Sequence, residues 1–187
     1  ALNTIQCYGI TAIDGFSIAG SVNGTEVPVV SGYTKGSTQL VIDAAYENFF
    51  VPGDYIELRQ TNGLWDTNPA SWATYSVGQV SIISAVAGTT ITLDQQLRID
   101  YDASLNPHLR KITPKTNVGI ECMNIERIDE PASGAGYNIL FGNAANCWVK
   151  GIESNKSVGS HVMIENSTNI EVRGSYFHHA FTYDGSG

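Results

Sequence analysis

The sequence predicts an all-β protein in which the C-terminal part winds as a parallel β-solenoid and an antiparallel β unit precedes it. Three observations carry that expectation. Residues 137–151 repeat without a gap at 160–174, 23 positions further on. Within each copy, apolar residues fall at every second position. The chain carries 19 Gly and only 15% charged residues, is crowded with Thr, Ser, Asn, Val and Ile, and shows no convincing amphipathic helix.

In the repeat, Ile139 and Phe141 match Val162 and Ile164, and Cys147 and Val149 match Ile170 and Val172. A period of two marks strands, because successive side chains leave a pleated strand on opposite faces. Asn143 matches Asn166 and Asn146 matches Asn169. Asparagine suits a tight bend, since it tolerates left-handed backbone and bonds its own main chain. A strand, an Asn-bounded corner and a second strand, recurring every 23 residues, describe one coil of a parallel solenoid. Upstream, residues 117–123 align with 146–152 at an offset of 29, and the longer loop this demands is supplied by Glu130–Gly136.

Taken from the N-terminus, residues 5–36 hold short apolar pieces separated by Gly: Ile10, Ile13, Phe16 and Ile18, then Val27 to Val30 around Pro28. These are expected as short strands, an N-terminal coil or cap. Ser37–Asp43 is strand-like, Asn48–Asp54 turns around Pro52-Gly53, and Tyr55–Arg59 alternates as a second strand. Gly78–Val86 and Thr89–Leu93 flank Ala87-Gly88 as a hairpin. This block lacks the 23-residue period and is expected as a small barrel or a sheet. Pro114 interrupts pairing, so the boundary falls near Lys111–Thr116. The expected domains are 1–36 as N-terminal strands or a cap, 37–113 as the antiparallel unit, and 114–187 as parallel coils open at their C-terminal end.

The runs Asn146-Cys147-Trp148-Val149-Lys150-Gly151-Ile152 and Asn169-Ile170-Glu171-Val172-Arg173-Gly174-Ser175-Tyr176-Phe177 resemble coils of right-handed parallel β-helix proteins of the pectate-lyase-like superfamily, over roughly residues 117–187. That superfamily includes polysaccharide lyases and hydrolases, phage tailspikes and surface adhesins, so the resemblance implies a fold and leaves activity open.

The net charge of −8 and a pI near 4.8 argue against a nucleic-acid partner, because neutralising phosphates needs a basic face. No apolar run is long enough to span a bilayer. Cys7, Cys122 and Cys147 lack metal-ligand spacing, so no zinc site is implied. Cys122 and Cys147 are expected in strands at or beside inward positions as buried thiols, the alternative being that one pair of the three cysteines forms a disulfide. The chain opens abruptly at Ala1-Leu2-Asn3, which suits a mature or excised fragment.

Four clusters offer chemistry. In the loop Thr61–Tyr75, Trp65, Trp72 and Tyr75 sit among Asn, Asp, Pro and Gly. Flat aromatic faces beside polar groups are what a sugar ring stacks upon, and the plainer reading has the tryptophans sealing one end of a barrel. On the solenoid, Lys150 and Arg173 are expected to point outward on neighbouring coils about 4.8 Å apart. Their repulsion is offset either by Glu121 or Glu171, or by an anionic ligand.

The third cluster follows the last strand, where the 23-residue offset stacks Glu153 with Tyr176, Asn155 with His178 and Lys156 with His179. Its plainer reading is a solvated His-His loop. The resemblance to polysaccharide lyases gives it another. β-Elimination on a uronate needs a base for the proton next to the carboxylate, a cation to neutralise that carboxylate, and a proton donor for the leaving oxygen. His179, Arg173 or Lys156, and Tyr176 supply those groups. The clustered aspartates that hold Ca²⁺ in pectate lyases are missing, so no cofactor is indicated. A glycosidase would use two carboxylates, and among Glu153, Glu165 and Glu171 none is preferred. The fourth cluster, Arg98–Asp102 with His108–Lys111, reads as solvated charge joining the two blocks, with Asp100 and Asp102 offering at most a weak cation site.

The functional expectation is an extracellular or cell-surface carbohydrate-active protein, either a lyase or depolymerase of an acidic glycan or a non-catalytic glycan-binding adhesin. The alternative is a structural subunit of a surface filament or phage tail. The chain stops at Asp184–Gly187, partway into a further coil, so more chain or another subunit is expected to cover that end.

Overall fold

The computed structural model describes residues 3–7, 14–128 and 136–181. Ile10, Ile13, most of the loop expected at Glu130–Gly136, and Asp184–Gly187 lie outside the described residues. Among those described the protein is built of strands joined by turns and three single-turn 3₁₀ helices, and no helix is long and apolar enough to cross a membrane. The chain divides into two compact units, Ser21–Thr113 and the combination of Ala1–Gly20 with Pro114–Gly187.

In chain order the strands are β1 (Asn3–Cys7) and β2 (Phe16–Ala19), then β3 (Ser21–Val22), β4 (Val27–Ser31), β5 (Gln39–Ile42), β6 (Tyr55–Gln60), β7 (Val77–Ala87), β8 (Thr90–Leu93) and β9 (His108–Thr113). They continue with β10 (Lys115–Thr116), β11 (Gly119–Glu121), β12 (Met123–Arg127), β13 (Tyr137–Gly142), β14 (Ala144–Lys150), β15 (Glu153–Asn155), β16 (Ser160–Glu165), β17 (Thr168–Arg173) and β18 (Tyr176–His178).

β3 to β9 form the antiparallel unit. Their order is β3-β9-β4-β5-β8-β7-β6, and β6 also pairs with β9, so the ladder closes on itself. The alternation in Gln39–Ile42 and Thr90–Leu93 turns Leu40, Ile42, Ile91 and Leu93 into a core with Val27, Ile56, Leu58 and Leu109. The hairpin at Ala87-Gly88 forms, with Gly88 at φ +59°. Residues 21–31 differ from expectation: β3 and β4 pair with β9 and β5, so this sheet begins before residue 37. The reason is register, since β9 offers a ladder edge to Ser21-Val22 and to Val27-Pro28 that short apolar pieces alone do not reveal.

Among the described residues, the strand pairs of the other unit are all parallel. β13, β14 and β15 each pair with the strand 23 residues later, in β16, β17 and β18, so that Val149 lies beside Val172 and Glu153 beside Tyr176. β11 and β12 pair with β14 and β15 at the expected offset of 29, and β1 and β2 add to β12 and β13. Successive strand triplets thus feed the same three sheets and enclose Ile120, Ile125, Ile139, Phe141, Cys147, Val149 and Ile152.

The corners share a backbone device. Asn143 and Asn166, then Asn117, Asn146 and Asn169, adopt left-handed φ between +43° and +59°. Further corners use Cys122, Gly151 and Gly174, and Lys156 with His179 at φ +59° and +61°. Cys122 therefore sits on an exposed corner and not at an inward strand position; Cys147 is buried, and no disulfide joins Cys122 to Cys147. In the last triplet Ile164 and Val172 remain 45% and 39% exposed, which marks where the apolar interior meets solvent among the described residues.

Candidate functional site

The aromatic loop leaves β6 and is held by one side chain. Asn62 Nδ2 donates to Asp66 Oδ2 at 2.6 Å and to the Ala73 carbonyl at 2.7 Å, while its Oδ1 accepts from Ser76 N–H at 2.9 Å. This staple shapes a hollow of about 390 Å³ whose walls include Gly63, Leu64, Asp66, Pro69 and Leu105. Trp65 lies back on Gly63, where a Cβ would come within 3.0 Å of the indole. Trp72, on the single turn Ser71–Ala73, is 89% exposed, against 58% for Trp65.

Tyr75 is engaged differently. The Arg59 guanidinium lies 3.7 Å from its ring centroid and His108 meets it edge-on at 5.4 Å. Arg59 Nε donates to His108 Nε2 at 2.9 Å and its Nη2 to Glu26, while His108 Nδ1 donates to the Asn106 carbonyl at 2.8 Å. Partial burial opposes ionisation of Glu26, yet the Arg59 hydrogen bond and the nearby charge of His108, Arg59 and Arg110 outweigh it and hold the carboxyl below its ordinary 4.5. Tyr101 points a buried hydroxyl without a partner into this unit, and desolvation, aided by the Glu57 charge, pushes its pKa well up.

The charges of 98–111 are absorbed within the antiparallel unit. Arg110 pairs with Glu57, and Lys111 with Asp54 at 2.7 Å. Asp100 accepts from Lys35 N–H at 2.8 Å. Asp102 caps the turn Ala103–Leu105 through Ser104, whose hydroxyl and N–H lower its pKa. Among the described residues no group of three or more His, Cys, Asp or Glu is arranged to hold a metal ion.

On the parallel unit, Lys150 and Arg173 are register neighbours, with Glu121 beside Lys150 on the other side. Arg173 pairs with Glu171 at 3.3 Å, and the Glu121 carboxylate accepts the Trp148 indole N–H at 2.6 Å.

The densest polar constellation lies where β15 and β18 run side by side. Tyr176 stacks on His178 with centroids 4.5 Å apart and planes 19° from parallel. His178 Nε2 lies 3.1 Å from Glu153 Oε1, and His178 Nδ1 lies 2.6 Å from Nδ1 of His179. Beneath, His161 stacks on Phe177 and donates from Nε2 to the His179 carbonyl at 3.0 Å, while its Nδ1 meets the Ser154 hydroxyl at 2.9 Å. Asn138, fully buried, donates to Ser154 Oγ and to the Lys156 carbonyl, both at 2.8 Å. Desolvation lowers the pKa of His161 below its ordinary 6.5; the bond to the His179 carbonyl opposes the shift, and the nearby His178 adds to it.

Of the residues the sequence nominated here, Tyr176 and His179 share one cluster with Glu153. Lys156 occupies the equivalent corner one triplet earlier, and its N–H bonds the His178 carbonyl. Arg173 lies on β17, in a different sheet and before the Gly174 corner. His178 and His161 were not nominated. Their signal was present in the 23-residue register, which places His178 beside Asn155 and within reach of Glu153.

No family model matches the sequence, and no curated protein matches it. Solved structures do. The tailspike of Acinetobacter baumannii bacteriophage AP22, determined in complex with A. baumannii capsular saccharide, superposes with a TM-score of 0.57 at 16% identity, covering 95% of this chain and 40% of that one. The tailspike gp61 of Pseudomonas phage phi297 gives 0.59 at 17% identity, covering 94% and 34%. This chain shares its fold with phage tailspikes. It spans well under half the length of either tailspike.

Proposed function

We propose that the chain is a segment of a right-handed parallel β-helix protein of the tailspike kind, carried at a virion surface or outside the cell, and that it binds a bacterial surface polysaccharide through Trp72 and Trp65. One observation carries the reading: Trp72 is 89% exposed on a loop whose Gly63, Asp66, Ala70 and Thr74 line a hollow of about 390 Å³. An indole held in water on a stapled loop is an unfavourable surface unless a ligand covers it, and a pyranose presents the matching apolar face with hydroxyls at its rim. The tailspike similarity supports the same reading, because one of those proteins was solved with a capsular saccharide. Tyr75, with Arg59 on one face, serves the loop's anchorage. Titration of the protein with capsular polysaccharide fragments tests the proposal: Trp72→Ala weakens binding at least about tenfold while leaving the fold intact, and undiminished binding by that variant refutes it.

A second reading, supported by the Tyr176, His178 and His179 cluster, is that the parallel unit depolymerises an acidic glycan. His179 takes the proton next to a uronate carboxylate, the C–H electron pair becomes a C=C bond, and the C–O bond at the adjacent carbon breaks with its electrons leaving on the oxygen. Tyr176 returns a proton to the departing oxygen, and Lys156 neutralises the carboxylate. An ultraviolet-absorbing unsaturated product from uronate polymers is the expected result. The exposed Ile164 and Val172 call for a neighbour, further chain or another subunit, over the last triplet.

A further inference from the structure

We propose that Glu153, His178 and His179 form a proton relay that presents Nε2 of His179 as a proton acceptor to a bound acidic glycan; the relay deepens the second reading above and takes its ligand from it. The hydrogen positions follow from what each atom can do. A carboxylate only accepts, so the nitrogen 3.1 Å from Glu153 Oε1, His178 Nε2, carries a hydrogen. Neutral His178 then has a lone pair on Nδ1. Two lone pairs cannot face each other at 2.6 Å, so Nδ1 of His179 carries the hydrogen between the rings. The tautomer of His179 is thereby set, and its lone pair is on Nε2.

The surroundings hold this chain in place. Tyr176 stacked on His178 fixes the plane of the middle ring. His161, itself seated between Ser154 and Phe177, donates to the His179 carbonyl at 3.0 Å and pins a left-handed residue at φ +61°. That conformation is uncommon for a residue that is neither Gly nor Asn, and it aims the side chain of the corner outward, where His179 is exposed. Lys156 occupies the same corner one triplet earlier and adds a cation, which favours a ligand bearing carboxylates.

An imidazole oriented by a second group with a carboxylate behind it is the arrangement that activates a base in many enzymes. Here the second group is another imidazole. When Nε2 accepts a proton, the Nδ1–H of His179 leans on His178 and the Nε2–H of His178 leans on Glu153. The positive charge is shared along the chain and no other reactant is consumed.

Nitrogen-15 NMR of the imidazoles tests the relay directly. In the wild-type protein neutral His179 is expected as the Nδ1–H tautomer. His178→Phe keeps a ring against Tyr176 but removes the acceptor, so His179 is expected to move to Nε2–H. Glu153→Ala leaves the stack untouched and is expected to depopulate the Nε2–H form of His178. Finding Nε2–H on His179 in the wild type, or the same tautomer in wild type and His178→Phe, overturns the proposal. Oligogalacturonate and alginate oligomers are then added: a shift of the His179 Nε2 resonance supports the acceptor role, and its absence with the tautomers as expected overturns the glycan assignment alone. Where cleavage is seen, His178→Phe is expected to lower kcat about a hundredfold with KM unchanged, as for loss of an oriented base.

Discussion

Asn169 Nδ2 donates to Asn146 Oδ1 at 3.1 Å, joining two left-handed corners 23 residues apart. The bond links residues that share a corner in consecutive triplets, and each Asn also removes the penalty an ordinary side chain pays at positive φ. Asn146→Val forfeits both contributions. Backbone strain of about 1–2 kcal/mol and a lost hydrogen bond of about 1 kcal/mol lead to a net loss of about 2–3 kcal/mol in urea unfolding. Asn146→Gly retains the backbone freedom and loses about half as much.

The indole at Trp72 touches little of its own protein, so truncation separates binding from folding. Trp72→Ala is expected to change stability by less than about 0.5 kcal/mol, the range for exposed sites. Affinity for a capsular fragment falls at least about tenfold in calorimetry, the equivalent of 1.4 kcal/mol. Tyr75→Ala behaves in the opposite way, lowering stability through loss of the Arg59 contact.

A glycine in the parallel unit is fixed by a neighbouring indole. A Cβ on Gly119 would fall 2.2 Å from Cε2 of Trp148, whose N–H is committed to Glu121. Gly119→Ala is therefore expected to cost about 1–3 kcal/mol, as overpacking does, and to shift Trp148 fluorescence. The double variant with Trp148→Leu recovers most of the loss.

Two pH windows are expected in unfolding experiments. His161 has its folded pKa depressed below 6.5 by burial, so its contribution is present above 6.5 and is lost as pH falls through the folded value. Glu26, held below 4.5 against Arg59, contributes above 4.5 and is lost as pH falls through its own lower folded value. Stability should decline in two steps on acidification. His161→Phe removes the upper step and Glu26→Gln reduces the lower, which Asp102 shares, with pH-dependent urea midpoints as the measurement.

The parallel triplets were legible because the same side chains return at the same spacing: apolar at 139, 141, 147 and 149, and Asn at 143 and 146. Each of those residues has a local reason for its place. The corner at Lys156 and His179 was harder to read, because Lys does not favour left-handed backbone and His adopts it less often than Asn; the bonds from His161 and Asn138 beneath hold it. The start of the antiparallel unit was hidden for a related reason, since Ser21-Val22 becomes a strand through a partner about 90 residues away. The aromatic loop stood out by composition, but composition gave Trp72 and Tyr75 the same weight. Only the position of Arg59 separates an indole facing water from a phenol already covered.

The seam between β6 and β9 has a practical corollary. A ladder that returns to its own beginning has no selvedge from which it unravels, so the hairpin tip at Ala87-Gly88 can be lengthened while its two flanking strands stay gripped on both sides. Foreign peptides spliced at that tip would be displayed from a scaffold that does not depend on the sequence of the graft.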